Sequence, residues 1–157
     1  MFTDFGSGKV RDEARLVARV LLALLFLTFG WSKLTNYSGT VAYMTQAGLP
    51  LPSLAALVAI VIEFFGGLAL ILGVWTRPLA VLLGLYTLAS AIIGHPFWTM
   101  SDPAAHYGNE INFYKNISIL GGFLLLYVTG AGRYSVDARL GLADAPLATP
   151  PRPSRPL

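Results

Sequence analysis

No cysteine occurs anywhere in the 157 residues. Disulfides, thiolate nucleophiles and every cysteine-ligated metal or cluster are therefore excluded from this chain, whatever a partner supplies. Charge is scarce as well. Only 12% of residues are charged, against roughly 25% in a usual soluble domain. The few basic residues stand beside apolar runs rather than in a patch with stacking aromatics, so the formal charge of +3 does not point to nucleic acid. Histidine occurs twice, at His95 and His106, with Asp102 between them. That spacing matches no usual set of metal ligands, and no metal is expected. A Gly-rich phosphate loop, a nucleophile elbow and a glycosidase-type carboxylate pair are all missing.

What the chain has in abundance is apolar length. Hydrophobic residues make up 55% of it and the mean hydropathy is +0.62. A bilayer span needs about 20 consecutive apolar residues, and four such runs can be marked: 14–33, 53–73, 79–94 and 111–130. The run beginning at Leu16 is too long for the core of a signal peptide and no clear small-x-small site follows, so it is read as a retained helix. Between the first two spans, residues 37–47 repeat Val41, Met44 and Gly48 at helical spacing, and Gly48, Pro50 and Pro52 stop the pattern. The expected fold is an all-α, integral-membrane, antiparallel four-helix bundle with a short interfacial helix between spans 1 and 2. Residues 1–13 read as a cytoplasmic arm, 14–140 as the membrane domain and 141–157 as a disordered proline-rich tail.

Lysine and arginine counts set the orientation. With four spans both termini share a side, and that side carries nine of the eleven basic residues, from Lys9 to Arg155, leaving only Lys33 and Lys115 on the other. Both termini are therefore expected in the cytoplasm, with residues 37–47 and the polar stretch 95–110 facing outward. Both histidines then lie on one side, which excludes a bis-histidine haem held across the bilayer.

The runs ARVLLALLFLTFGWSKL, EFFGGLALILGVWTRPLAVLLGLYTL and FYKNISILGGFLLL, with GRYSVDARL after them, resemble the DoxX family of small four-helix bacterial membrane proteins. The likeness covers residues 15–140. It implies a four-helix bundle in the bacterial cytoplasmic (inner) membrane, and an association with quinone-linked sulfur oxidation or with oxidative and thiol-stress complexes.

The residue that asks most for explanation is Glu63, alone within its apolar run. A charge at the centre of a span costs about 2.5–3.5 kcal/mol on insertion-based scales, so such residues face a bundle interior or wet cavity and find a partner. Ala55, Ala59, Glu63 and Gly67 fall on one helical face, and small residues there let a neighbouring helix approach. Glu63 should point at protein. The candidate site joins it to Lys115, Asn112, Asn116 and Lys33, with His95 and Trp98 at the outer rim. From span starts at 53 and 111, Glu63 lies ~15 Å deep and Lys115 ~6 Å, at 1.5 Å per residue. Lys33, at the far end of its span, can instead reach the interface.

Two readings stay open. In one, amides and an ammonium hold a quinone between the outer halves of the helices while Glu63 exchanges its proton. Electrons then come from other membrane or redox subunits, because this chain has no redox cofactor motif and no covalent cofactor is expected. In the other, the polar groups form a buried network that fixes helix register, in a non-catalytic accessory or assembly subunit of a larger complex. His95 reads more simply as a helix C-cap, and Trp98, Phe97 and Tyr107 as interface anchors.

Overall fold

A computed structural model of the chain describes residues 8–142. The expectation of a disordered tail falls almost wholly outside them. The elements are α1 (Gly8–Thr35), α2 (Tyr37–Gln46), α3 (Pro52–Leu72), α4 (Thr76–Gly94), α5 (Pro103–Thr129) and the single turn α6 (Val136–Arg139). Helices α1, α3, α4 and α5 are long and apolar enough to cross a membrane, and the chain is an all-α membrane bundle. Leucines such as Leu21, Leu57, Leu85 and Leu125 are exposed on its outside. Lipid is the environment in which such a surface is stable.

Two boundaries differ from the sequence reading. Residues 8–13 are already helical and continuous with α1, not a loose arm. The stretch read as an outer loop is helical from Pro103, leaving only residues 95–102 with one 3₁₀ turn, Phe97–Thr99. The cause is local. The Asp102 carboxylate accepts from the Ala105 amide at 2.7 Å, and Pro103 fills the first helical position, where no amide donor is needed. At 27 residues, α5 is about 40 Å long. That exceeds a hydrocarbon core of about 30 Å, so its polar first turns reach the headgroup level.

Helix α1 packs along α3, and α4 packs along most of α5. The two ends of the bundle are filled differently. Toward the termini, Ala23, Phe26, Leu70, Leu83, Phe123 and Leu126 form one buried apolar cluster, with Phe26 and Phe123 edge to face at 5.5 Å. Toward α2, a smaller cluster of Met44, Ala56 and Ala59 lies beneath the interfacial helix, and the space beside it is open.

The terminal end is locked by the segment after α5. Asp137 is buried, and its carboxylate accepts from the amides of Trp75 and Thr76 at 2.7 and 2.8 Å. An anion at a helix N-terminus is favoured by the unpaired amides there. The Asp137 amide in turn donates to the Gly73 carbonyl at 2.9 Å. Arg19 is fully buried and donates to the Tyr134 carbonyl. Gly73, at φ +68°, lies against that guanidinium with no room for a Cβ.

A second glycine sets the spacing of α1 and α3. A Cβ on Gly30 would lie 2.5 Å from the Phe64 nitrogen and 2.9 Å from its Cα. Backbone cannot yield as a side-chain tip can. Gly30→Ala is therefore expected to separate the two helices at a cost of about 1–3 kcal/mol. The thermal midpoint in mild detergent should fall by roughly 5 °C; an unchanged midpoint would mean the helices do not meet there.

Candidate functional site

Glu63 sits in the one stretch of α3 that is not a regular α-helix. Val61–Phe65 forms a π turn, an insertion common at functional sites. The small-residue face holds through it: Ala59, Glu63 and Gly67 are all buried, and a Cβ on Gly67 would press on Leu27 of α1. Glu63 points at protein.

Both of its oxygens are engaged. Lys33 Nζ lies 2.7 Å from Oε2, and the Tyr86 hydroxyl donates to Oε1 at 2.5 Å. The Glu63 side chain is 9% exposed and the Lys33 side chain 24%, so the pair is shielded at the carboxylate and wetter at the ammonium. The ammonium that meets Glu63 thus comes from α1, not from Lys115 on α5. Contact at Gly30 brings α1 onto the backbone of α3 at the level of Glu63, and Lys33 follows Gly30 by three residues, about one turn. The expectation that Lys33 turns to the interface gives way to this inward reach.

The triad opens on a cavity of about 740 Å³ lined by α1, α2, α3, α4 and α5. Lys33, Glu63, His95, Asn112, Lys115 and Asn116 all line it. Trp98 does not: it packs on Phe97 and Phe113 at 5.2 and 5.7 Å, within an aromatic cluster that includes His106 and Tyr114. His95 ends α4 as its C-cap, and its Nδ1 lies 3.0 Å from Asn109 Oδ1. Lys115 donates to Asn112 Oδ1 at 2.6 Å. Asn116 is 8% exposed; its side-chain amide makes no hydrogen bond among the described residues and is not fully enclosed, opening instead on the cavity. Phe26, Phe29, Val58 and Ile93 supply apolar wall. Among the described residues no three His, Asp or Glu side chains converge.

Sequence reasoning missed Tyr86. A tyrosine inside a span reads as an interface anchor or filler. The available signal was polar spacing on α4, since Tyr86, Thr87 and Ser90 share neighbouring positions one turn apart and all line the cavity.

The DoxX family model matches residues 14–96, more than half of the chain. The chain belongs to the DoxX family. It is 47% identical over 138 residues to "Inner membrane protein YphA" of Escherichia coli (strain K12), a match covering 88% of this chain and 96% of that protein. It is 42% identical over 135 residues to "Inner membrane protein YqjF" of the same strain, covering 84% and 95%. CatD of Bacillus subtilis (strain 168), whose given name is that of a conjectured oxidoreductase, is 38% identical over 86 residues, 55% of this chain and 62% of that protein. No solved structure matches the chain significantly. With four spanning helices and relatives so named, this DoxX protein is a multi-pass inner-membrane protein. The span matched by the family model holds Lys33, Glu63 and Tyr86, and ends before the Asn112, Lys115 and Asn116 side of the cavity.

Proposed function

We propose that this DoxX protein is a membrane subunit of a redox system, and that its cavity binds a quinone-class carrier which exchanges a proton with Glu63. The observation that carries the reading is Asn116, whose side-chain amide opens on the cavity and makes no hydrogen bond among the described residues. A side-chain amide both donates and accepts, so it suits a ligand oxygen that is a carbonyl in one redox state and a hydroxyl in the other. Lys115 adds a second donor, and the aromatic and aliphatic wall suits a ring. A quinone supplies the two-electron chemistry when bound. This chain's residues bind, orient and move protons.

Each Glu63 oxygen keeps a lone pair beyond the one used by Lys33 or Tyr86. Glu63 can thus take a proton from a ligand hydroxyl, or return one to a ligand oxygen. A partner subunit would supply or take the two electrons; of the two protons that accompany them, Glu63 would carry one and solvent reaching the open cavity would exchange the other. The name of CatD is consistent with this reading.

The second reading, an accessory or assembly subunit, is favoured by one observation: Glu63 is already satisfied within the chain, as a lock joining α1, α3 and α4 would be. Titration of a tail-free benzoquinone into the full chain in lipid nanodiscs separates the two. The redox reading expects saturable binding, weakened about tenfold, or about 1.4 kcal/mol, by Asn116→Leu and by Lys115→Met. Unsaturable partitioning, identical in both variants, would leave the accessory reading.

We place both termini in the cytoplasm, from the nine-to-two distribution of basic residues. The chain has no cysteine, so single labels are unambiguous. Ser101→Cys should react with an impermeant thiol reagent on intact cells and Ser154→Cys should not. The reverse pattern would invert the bundle.

A further inference from the structure

A second concavity of about 650 Å³ runs along the outside of the bundle between α1 and α5. It exists because these two helices meet over a much thinner seam than α1 with α3 or α4 with α5. Its floor and walls are Ala18, Leu21, Leu22, Gly122, Leu125 and their neighbours. At the terminal end it closes near Arg15, which is paired with Asp12 at 3.1 Å. At its other end it reaches Leu25 and Lys115, and both of these residues also line the Glu63 cavity. The two spaces are therefore neighbours across one pair of side chains. From Lys115 to Thr129 the groove follows α5 for about 21 Å at 1.5 Å per residue, which is two-thirds of a hydrocarbon core of about 30 Å.

We infer that this groove is the tail site and lateral entrance of the cavity: a ligand dissolved in the bilayer slides in between α1 and α5, its polar head passing Leu25 and Lys115 while its long apolar tail stays in the groove. The inference rests on the quinone-class reading of the cavity and names the ligand form it takes, a carrier with a long hydrocarbon tail. Three features point to a tail rather than to a docked helix. The groove adjoins the cavity across Leu25 and Lys115, it is apolar between its ends, and of its two cations Arg15 is ion-paired while Lys115, without an ion pair among the described residues, stands at the junction where a polar head must pass. Lys115 is exposed there, and among the described residues its ammonium bonds only Asn112. It can swing between the two spaces as a flexible four-carbon stem allows.

Two photoreactive quinones test this with the full chain in nanodiscs, one carrying a diazirine on the head and one at the far end of a long tail. The expected result has three parts. The head probe labels cavity residues, the tail probe labels α1 and α5 around Leu21, Leu22 and Leu125, and excess unlabelled long-tailed quinone suppresses both. Ala18→Phe, at an exposed position that fills the groove without touching the core, should cut the tail label at least fivefold and leave a tail-free quinone's binding unchanged. Head label in the cavity with tail label spread evenly over α3 and α4 would overturn the groove assignment and leave the cavity reading intact; tail label in the groove that quinone does not suppress would show ordinary lipid there and overturn it too. Absence of any suppressible head label would remove the cavity reading and the groove inference together.

Discussion

Lys33→Met should be among the most destabilising single changes at this site, and adding Glu63→Gln to it should restore most of what is lost. Lys33 is the cation paired with Glu63, whose side chain is only 9% exposed. Removing one partner of a buried pair typically costs about 3–5 kcal/mol, because the remaining charge is left without compensation. The Lys33 side chain is 24% exposed, which places the expected cost near the lower end. Tyr86 still donates one hydrogen bond, but a single neutral donor does not replace an ammonium. The double variant Lys33→Met with Glu63→Gln has no charge left to bury, and replacing a buried pair whole is often neutral. Thermal midpoints of the four proteins in the same detergent complete the cycle. A fall of roughly 10 °C in Lys33→Met, largely recovered in the double variant, is the expected pattern. Equal midpoints throughout would mean that the pair does not hold α1 to α3.

Glu63→Gln alone should leave the protein folded while quinone-linked activity of its complex collapses. Glutamine keeps the shape of the side chain, its carbonyl still accepts from Lys33 or Tyr86, and Lys33 has a wetter side to turn to. What disappears is the exchangeable proton. General acid–base groups contribute about 10²–10⁴-fold to rate, and a loss within that range is expected with complex yield unchanged. Intact yield with intact turnover would show that Glu63 serves helix packing and would favour the accessory reading.

These expectations differ from what residue spacing supports, and the reasons are physical. Apolar run lengths are enough for four spans, because a bilayer sets a minimum length that few other structures need. The inward aim of Glu63 is also legible, since Ala59 and Gly67 flank it at helical spacing and both are buried. The identity of its cation is not. Choosing Lys33 over Lys115 requires knowing that Gly30 meets the backbone of Phe64, a contact between residues 34 apart that no local pattern encodes. Helix α5 shows the converse. Asp102 and Pro103 are a legible start signal, but the polar run from His95 to Glu110 outweighs it when polarity is taken to mean loop. Trp98 fails as a cavity residue because its partners are other rings, Phe97 and Phe113. Tyr86 escapes notice because its hydroxyl matters only once α4 is set opposite Glu63.

The most direct measurement is the infrared difference spectrum of the protein in nanodiscs with a bound quinone, recorded as the quinone is reduced and reoxidised at an electrode. The electrode supplies the electrons that a partner subunit would supply, so the proton step is isolated. The account predicts a carboxyl band that appears or vanishes with the redox state and is lost in Glu63→Gln. A spectrum that is the same in the wild type and in Glu63→Gln would contradict it.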